Sequence, residues 1–296
     1  MVWEPVLELF RESIERQGYY HWQRSFPDFK KKYGLKAPSS TPEYLSIDFW
    51  SRQRKELTQQ GWYILRVGDG SFAVFSEKEH PRPYTQLDTR NAESLVLDIP
   101  QRTSSLIDSF KLMLENNASA EDSILELLRY FGVYESLLRA LSVSSECSVG
   151  PRGNFKSSFK MALRKRNNDL TEFLYNGQVE LDYSIWSEDK VFIVEAKSRG
   201  RGGLDIGWHK LVFPSLHFAE IARKHDLEVI PVYLLRLHSG RKDQAHFFVF
   251  PPLNFHGDIM ILNGPSTMRP ERVFTVDLSS LTSPDQQKLG SYSERS

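Results

Sequence analysis

The chain has 296 residues, 40% hydrophobic and 26% charged, and its 38 basic and 38 acidic side chains leave a formal net charge of zero. This is the composition of a globular protein that can bury a core, and with no global basic excess any case for nucleic-acid binding must rest on where the charges sit. Cys147 is the only cysteine, which excludes a disulfide framework or a cysteine-rich zinc site and fits a reducing cytoplasm; apolar runs such as Val191–Val194 are too short for a bilayer, and the opening Met1-Val2-Trp3-Glu4 lacks a secretory pattern, so a cytoplasmic protein without a membrane partner is expected.

Val6, Leu7, Leu9, Phe10 and Ile14 fall on one helical face, and Gly18 is a natural stop. Thr41 as cap, Pro42 in the first turn and Glu43 at the positive end of the dipole predict a second helix, running through Phe49, Trp50 and Leu57 to Gly61. Trp62–Val67 and Ser71–Ser76 then read as strands joined by Gly68-Asp69-Gly70, a hairpin signal. Helix followed by hairpin is the outline of a winged helix, with a small structural α+β domain as the alternative. Glu79–Arg90, rich in Pro, Lys, Arg, Thr and Gln, reads as a linker between an N-terminal domain over 1–90 and a second domain over 91–282, with a flexible tail over 283–296.

Helices are expected around Ser104–Glu115 and from Ala120 to about Tyr130. Arg152, Lys156, Lys160, Arg164, Lys165 and Arg166 follow with no acid among them, and Phe155, Phe159 and Met161 interleave. A strand that buries one face and presents the bases on the other fits this pattern. Such a face suits phosphate tracking; an ordinary solvated charge run is the alternative. From Gln178 the pattern becomes α/β. Strands are predicted at Gln178–Trp186, Val191–Ala196, Val229–Leu237, Ala245–Phe250 and Asp258–Leu262, with a helix from Ile206 to Lys224 in which Pro214 predicts a kink or break.

Glu180 and Asp182, two apart on a strand, leave from the same face. In the next strand Phe192, Val194 and Ala196 share one face, while Glu195 and Lys197 share the other. A hairpin of this length brings Asp182 and Glu195 together at one end of the sheet with Lys197 just beyond. Two carboxylates there are costly to leave unpaired. A hard divalent cation relieves that cost through oxygen ligands, and a lysine beside it can orient water and counter charge developing on a phosphate. Glu-x-Lys alone carries little weight in so charged a chain, and an ion-pair ladder across exposed strands is the plain alternative. The histidines show no paired zinc spacing, and Gly200-x-Gly202-Gly203 matches no nucleotide-binding loop.

Gln178-Val179-Glu180-Leu181-Asp182, followed after a turn by Val194-Glu195-Ala196-Lys197-Ser198, resembles the active-site hairpin of the PD-(D/E)XK nuclease superfamily. Leu211-Val212-Phe213-Pro214, Val229-Ile230-Pro231-Val232-Tyr233 and Phe247-Phe248-Val249-Phe250 extend the likeness to type II restriction-endonuclease-like members. The resemblance implies an α/β fold: a restriction-endonuclease-like core with a mixed central sheet flanked by helices, behind a helix-rich N-terminal domain. It implies that Asp182 and Glu195 bind metal, with the Ala196 carbonyl as a further ligand, and that Lys197 is catalytic. Glu121, with Glu126 close behind, would be the carboxylate from the preceding helix; a helix-opening acid favoured by the macrodipole is the alternative for Glu121. Glu180 would bind metal through water or simply shape the site, with Gln178 beside it, and Arg152, Lys156, Lys160, Arg199 and Arg201 would contact the DNA backbone. His209-Lys210 departs from the Arg-Gln of the related group. The implied activity is Mg2+-dependent endonucleolytic cleavage of double-stranded DNA, with Mn2+ able to substitute, by a homodimeric restriction enzyme. A structure-specific repair or junction nuclease and a non-catalytic DNA-binding regulator on the same fold are the competing readings.

Overall fold

The computed structural model describes residues 4–36, 44–45, 47–96, 120–144, 146–199, 204–239, 242–253, 255–256, 259–262 and 269–281. Helix α1 (Glu4–Gln17) buries Leu7, Phe10 and Ile14 as its periodicity requires, and it stops at Gly18, whose φ of 82° suits glycine. Strand β1 (Tyr19–Trp22) and helix α2 (Phe26–Lys32), which the pattern did not reveal, come next. The continuous helix predicted from Thr41 to Gly61 is not what forms. Thr41, Pro42 and Glu43 lie outside the described residues. Beyond them Tyr44 and Leu45 are helical, and a single turn at Trp50–Arg52 and the short α3 (Lys55–Thr58) each follow extended backbone, at Phe49 and at Arg54. The helix is interrupted where Ile47 and Phe49 are both buried on either side of Asp48, an alternation that belongs to extended chain.

Strands β2 (Trp62–Arg66) and β3 (Phe72–Ser76) form the predicted hairpin, and with β1 they make an antiparallel sheet in the order β1-β3-β2. Trp62, Ile64, Phe72 and Val74 face α1 and α2; Tyr63, Leu65, Ala73 and Phe75 face the rest of the chain. Burial on both faces explains the nearly unbroken apolar runs. Within the stretch Glu79–Arg90, expected as a linker, His80 is fully buried and β4 (Tyr84–Gln86) pairs with Asp205–Gly207.

Strand β5 (Glu93–Ser94) is followed by α4 (Ala120–Tyr130), matching its predicted span, and by α5 (Val133–Ala140). The predicted helix Ser104–Glu115 lies outside the described residues. Then come β6 (Ser148–Val149), β7 (Gly153–Arg164), β8 (Leu170–Leu181), β9 (Tyr183–Trp186), β10 (Lys190–Arg199), β11 (Asp205–Gly207) and α6 (Trp208–Lys224). The chain continues through β12 (Glu228–Ser239), β13 (Lys242–Val249), β14 (Phe255–His256), β15 (Ile259–Leu262), β16 (Arg272–Asp277) and α7 (Leu278–Leu281). Ile206 belongs to β11, so α6 starts two residues later than predicted, and it runs unbroken through Pro214. The predicted tail lies outside the described residues.

The central sheet has the order β5-β16-β13-β12-β10-β9-β6, with β10–β12 and β16–β5 parallel and the other pairs antiparallel. Helix α6 makes the crossover between β10 and β12, as a parallel pair needs. Phe192, Val194 and Ala196 pack with α4 and α5 on one face; Val191 and Ile193 pack with α6 on the other. The chain is therefore mixed α/β, a mixed central sheet flanked by helices. No described helix is long and apolar enough to cross a membrane.

A second sheet, β14-β15-β7-β8, carries the basic stretch. On β7 the alternation exposes Lys156, Ser158 and Lys160 and buries Ser157 and Met161. Gln178–Trp186, predicted as one strand, divides at Asp182: β8 pairs with β7 in this sheet, and β9 pairs with β10 in the central one. The hairpin tip at Asp69 docks on β8, its N–H donating to the Asn176 carbonyl at 3.0 Å and its Oδ1 accepting the Gln178 N–H at 3.0 Å. Gly177 permits this approach, since a Cβ there would stand 2.9 Å from the Asp69 nitrogen.

Candidate active site

Asp182 occupies the corner between the two sheets, one step past the Tyr183–Val194 pair that registers β9 on β10. Its Oδ2 accepts the Ala196 N–H at 2.8 Å, which lays the carboxylate against β10 between Glu195 and Lys197. Because β10 gives Phe192, Val194 and Ala196 to the α4–α5 face, Glu195 and Lys197 leave together on the opposite side. Glu195 is only 2% exposed. The Lys197 ammonium lies 3.2 Å from Glu195 Oε1 and donates to Glu121 Oε2, near the start of α4, at 3.1 Å. The four residues singled out as catalytic are thus brought together.

Three further side chains complete the cluster. Lys210, in the first turn of α6, has its ammonium 3.3 Å from the same Glu195 Oε1, 3.9 Å from Asp48 Oδ1 and 4.0 Å from Glu180 Oε2. His209 Nε2 is 3.7 Å from Asp48 Oδ1. Asp48 is anchored at this end of α6 because its carbonyl accepts the Gly207 N–H at 2.7 Å. Asp48 escaped the sequence reading altogether, since no local spacing links it to the hairpin. His209-Lys210 was visible only as a departure from a pattern.

The charges tune one another. Burial pushes the Asp182 carboxyl up to about 7 and the neighbouring Glu195 adds to this, against the pull of Lys197 and the Ala196 N–H. Burial works against the charge on Lys197, but Glu195, Asp182 and Glu121 outweigh it and raise its pKa above the ordinary lysine value. Lys210 is raised in the same way: burial opposes its charge, and Glu195 and Asp48 overcome that. Burial also opposes the Asp48 carboxylate, but His209 and Lys210 hold it down to about 2.

Glu195 Oε1 is buried and, although two ammonium groups lie within ion-pair range, no described donor meets it in hydrogen-bonding geometry. A buried carboxylate oxygen in that condition is costly. A raised Asp182 beside an incompletely satisfied Glu195 is what a pair of carboxylates shows when a cation would relieve it. The donors are all oxygen, which fits Mg2+ or Mn2+. Among the described residues no group of three or more His, Cys, Asp and Glu side chains is gathered to hold a metal. The protein's share would therefore be Asp182, Glu195 and the Ala196 carbonyl.

The remaining expected residues lie further out. Glu126 is turned to Arg152 at 3.0 Å and Arg129 at 3.6 Å, outside the cluster. Gln178 has an exposed side chain on β8. Lys156 and Lys160 line a cleft of about 720 Å3 between β7 and α6. The Arg199 side chain and Arg201 fall outside what the structure describes.

Fold and site together define a mixed α/β protein with a carboxylate–lysine centre at a strand end, and the comparisons name its family without naming a chemistry. The chain belongs to the family described as Domain of unknown function (DUF6997), which matches residues 81–254. No curated protein and no solved structure matches the chain.

Proposed function

We propose that the chain is a Mg2+-dependent endodeoxyribonuclease of the PD-(D/E)XK kind, with a restriction-endonuclease-like core that cleaves double-stranded DNA as a type II restriction enzyme does. The observation that carries this reading is the joint placement of Asp182, Glu195 and Lys197 at one strand end, with Asp182 Oδ2 on the Ala196 N–H and the Lys197 ammonium on Glu195. The crossover from β10 through α6 to β12, with α4 and α5 covering the other face, supports the core assignment. In the N-terminal part, the succession α1, β1, α2 and then the β2–β3 hairpin, in sheet order β1-β3-β2, supports a winged-helix unit that helps to read DNA.

A divalent cation held by Asp182 and Glu195 would supply a more acidic water and stabilise charge on the phosphate. Lys197, braced between Glu195 and Glu121, keeps its proton and points a positive charge at the same strand end, where it can orient a water and meet a phosphoryl oxygen. Lys156 and Lys160 offer phosphate contacts away from the reacting bond. A two-fold dimer would let two such centres act on both strands of a duplex.

The test is incubation of the full chain with plasmid DNA and Mg2+ or Mn2+. Wild type is expected to give discrete fragments. Asp182→Asn and Lys197→Met should each lower the rate by about 10²–10³-fold or more while leaving DNA binding largely intact. A non-catalytic DNA-binding reading draws on one observation, the two ammonium groups that already surround Glu195. Wild type that binds DNA and never cuts it with either metal decides for that reading.

A further inference from the structure

Lys210 stands in an awkward place for a cation. It lies in the first turn of a 17-residue helix, where the macrodipole is positive, and that turn contains no acid and has no side-chain cap. What compensates is a set of carboxylates from three separate segments: Glu195 at 3.3 Å, Asp48 at 3.9 Å and Glu180 at 4.0 Å. Lys197 already lies 3.2 Å from the same Glu195 oxygen, so two ammonium groups crowd one buried acceptor. Asp48, by contrast, makes no contact with Asp182 or Lys197 within ion-pair range among the described residues. Its backbone is fixed by Gly207, its carboxylate lies 3.7 Å from His209 and 3.9 Å from Lys210, and the Lys197 charge acts on it from further off.

We propose that Lys210 is a tethered counter-cation that competes with a divalent metal for Glu195, and that Asp48 is the carboxylate that receives it when metal enters. The inference rests on the nuclease reading and assigns Asp48, from the N-terminal part of the chain, as a positioning residue of the active site. Removing the Lys210 charge leaves Glu195 with one competitor, so metal binds more tightly. Removing the Asp48 charge takes away the carboxylate that would receive Lys210, which then stays on Glu195, so metal binds more weakly. Opposite signs are the useful feature, because general damage to the site weakens binding in both variants.

The experiment is calorimetric titration of the full chain with Mn2+ alone. Wild type is compared with Lys210→Met, Lys210→Gln and Asp48→Asn, and Asp182→Asn serves as the blank for this site. Both Lys210 variants are expected to tighten Mn2+ binding roughly threefold or more, and Asp48→Asn to weaken it by a similar factor. Using two Lys210 replacements keeps a result in hand if one of them unfolds, which a thermal melt reveals. Wild type that binds Mn2+ and cuts DNA, with Lys210 variants of equal or weaker affinity, overturns this inference alone. Wild-type heats indistinguishable from those of Asp182→Asn overturn the metal centre, and the inference falls with it.

Discussion

His80 provides a quantitative test of how the N-terminal part is joined to the rest. It is fully buried, with Nε2 2.8 Å from Thr171 Oγ1 on β8 and its ring edge-on to Phe75 at 5.1 Å and to Tyr19 at 6.3 Å. Burial first, and Lys165 second, lower its pKa from the usual 6.5 to about 4, with the Gly18 backbone acting weakly the other way. The unfolded chain therefore binds more protons between those two values, so stability rises with pH across that window and is lost as pH falls through it. A displacement of about 2.5 pH units corresponds to about 3 kcal/mol once both values are passed. The assay is urea unfolding of metal-free wild type and His80→Gln, the glutamine keeping a polar partner for Thr171. From about pH 8 to about pH 4.5, wild type should lose roughly 2.5 kcal/mol more than the variant. Taking the difference matters because Asp182, raised to about 7, works with the opposite sign in an overlapping range, and that contribution cancels. Parallel curves for the two proteins would mean that His80 accepts its proton in the folded state, and the buried junction would be refuted.

Two more perturbations bear on the site and its surroundings. Asp182 has a folded pKa of about 7 against an ordinary 3.8, so without metal it costs stability as pH rises through that range; at about pH 8 in chelator, Asp182→Asn should be the more stable protein by up to about 4 kcal/mol. Adding Mg2+ should raise the melting temperature of wild type and not of the variant, and an equal response in both counts against a metal at Asp182. Replacing Lys156 and Lys160 together by glutamine should weaken DNA binding evenly across sequences and reduce the salt slope of log K by about 2, measured by fluorescence titration; an unchanged slope means that neither lysine meets a phosphate.

The elements legible in the sequence are those whose signal is local. Helix α4 matches its predicted span because Ile124, Leu125, Leu127 and Leu128 mark its buried face, and the β2–β3 hairpin is announced by Gly68-Asp69-Gly70. Elements escaped the reading where two local signals conflicted or where one was silent. Between 41 and 61 the helix-start residues, followed by a helical Tyr44 and Leu45, outweighed the buried alternation of Ile47 and Phe49, where the chain is extended. In 79–90 the polar composition concealed Tyr84 and Thr85, both buried in β4. The corner at Asp182 had no signal at all. Val179, Leu181, Tyr183 and Ile185 alternate with the polar Glu180, Asp182 and Ser184, so the sequence period of two runs straight across the change of sheet.

The same distinction governs the site. Asp182, Glu195 and Lys197 could be read together because one turn separates their strands, and a hairpin's register follows from its length and alternation. Glu121 entered through resemblance, and its salt bridge to Lys197 is a contact between α4 and β10 that no spacing encodes. Asp48 and Lys210 lie further still from local prediction: their proximity depends on the N-terminal segment closing over the start of α6. What a hairpin can specify is the oxygen ligands and the nearest ammonium. How strongly those carboxylates hold a cation depends on charges delivered by distant segments, because in a buried cluster each added ammonium or carboxylate shifts all the others. The candidate chemistry is therefore written in a short stretch of sequence, while its tuning is a property of the assembled fold, and substitutions at Asp48 and Lys210 should alter metal affinity without touching a ligand.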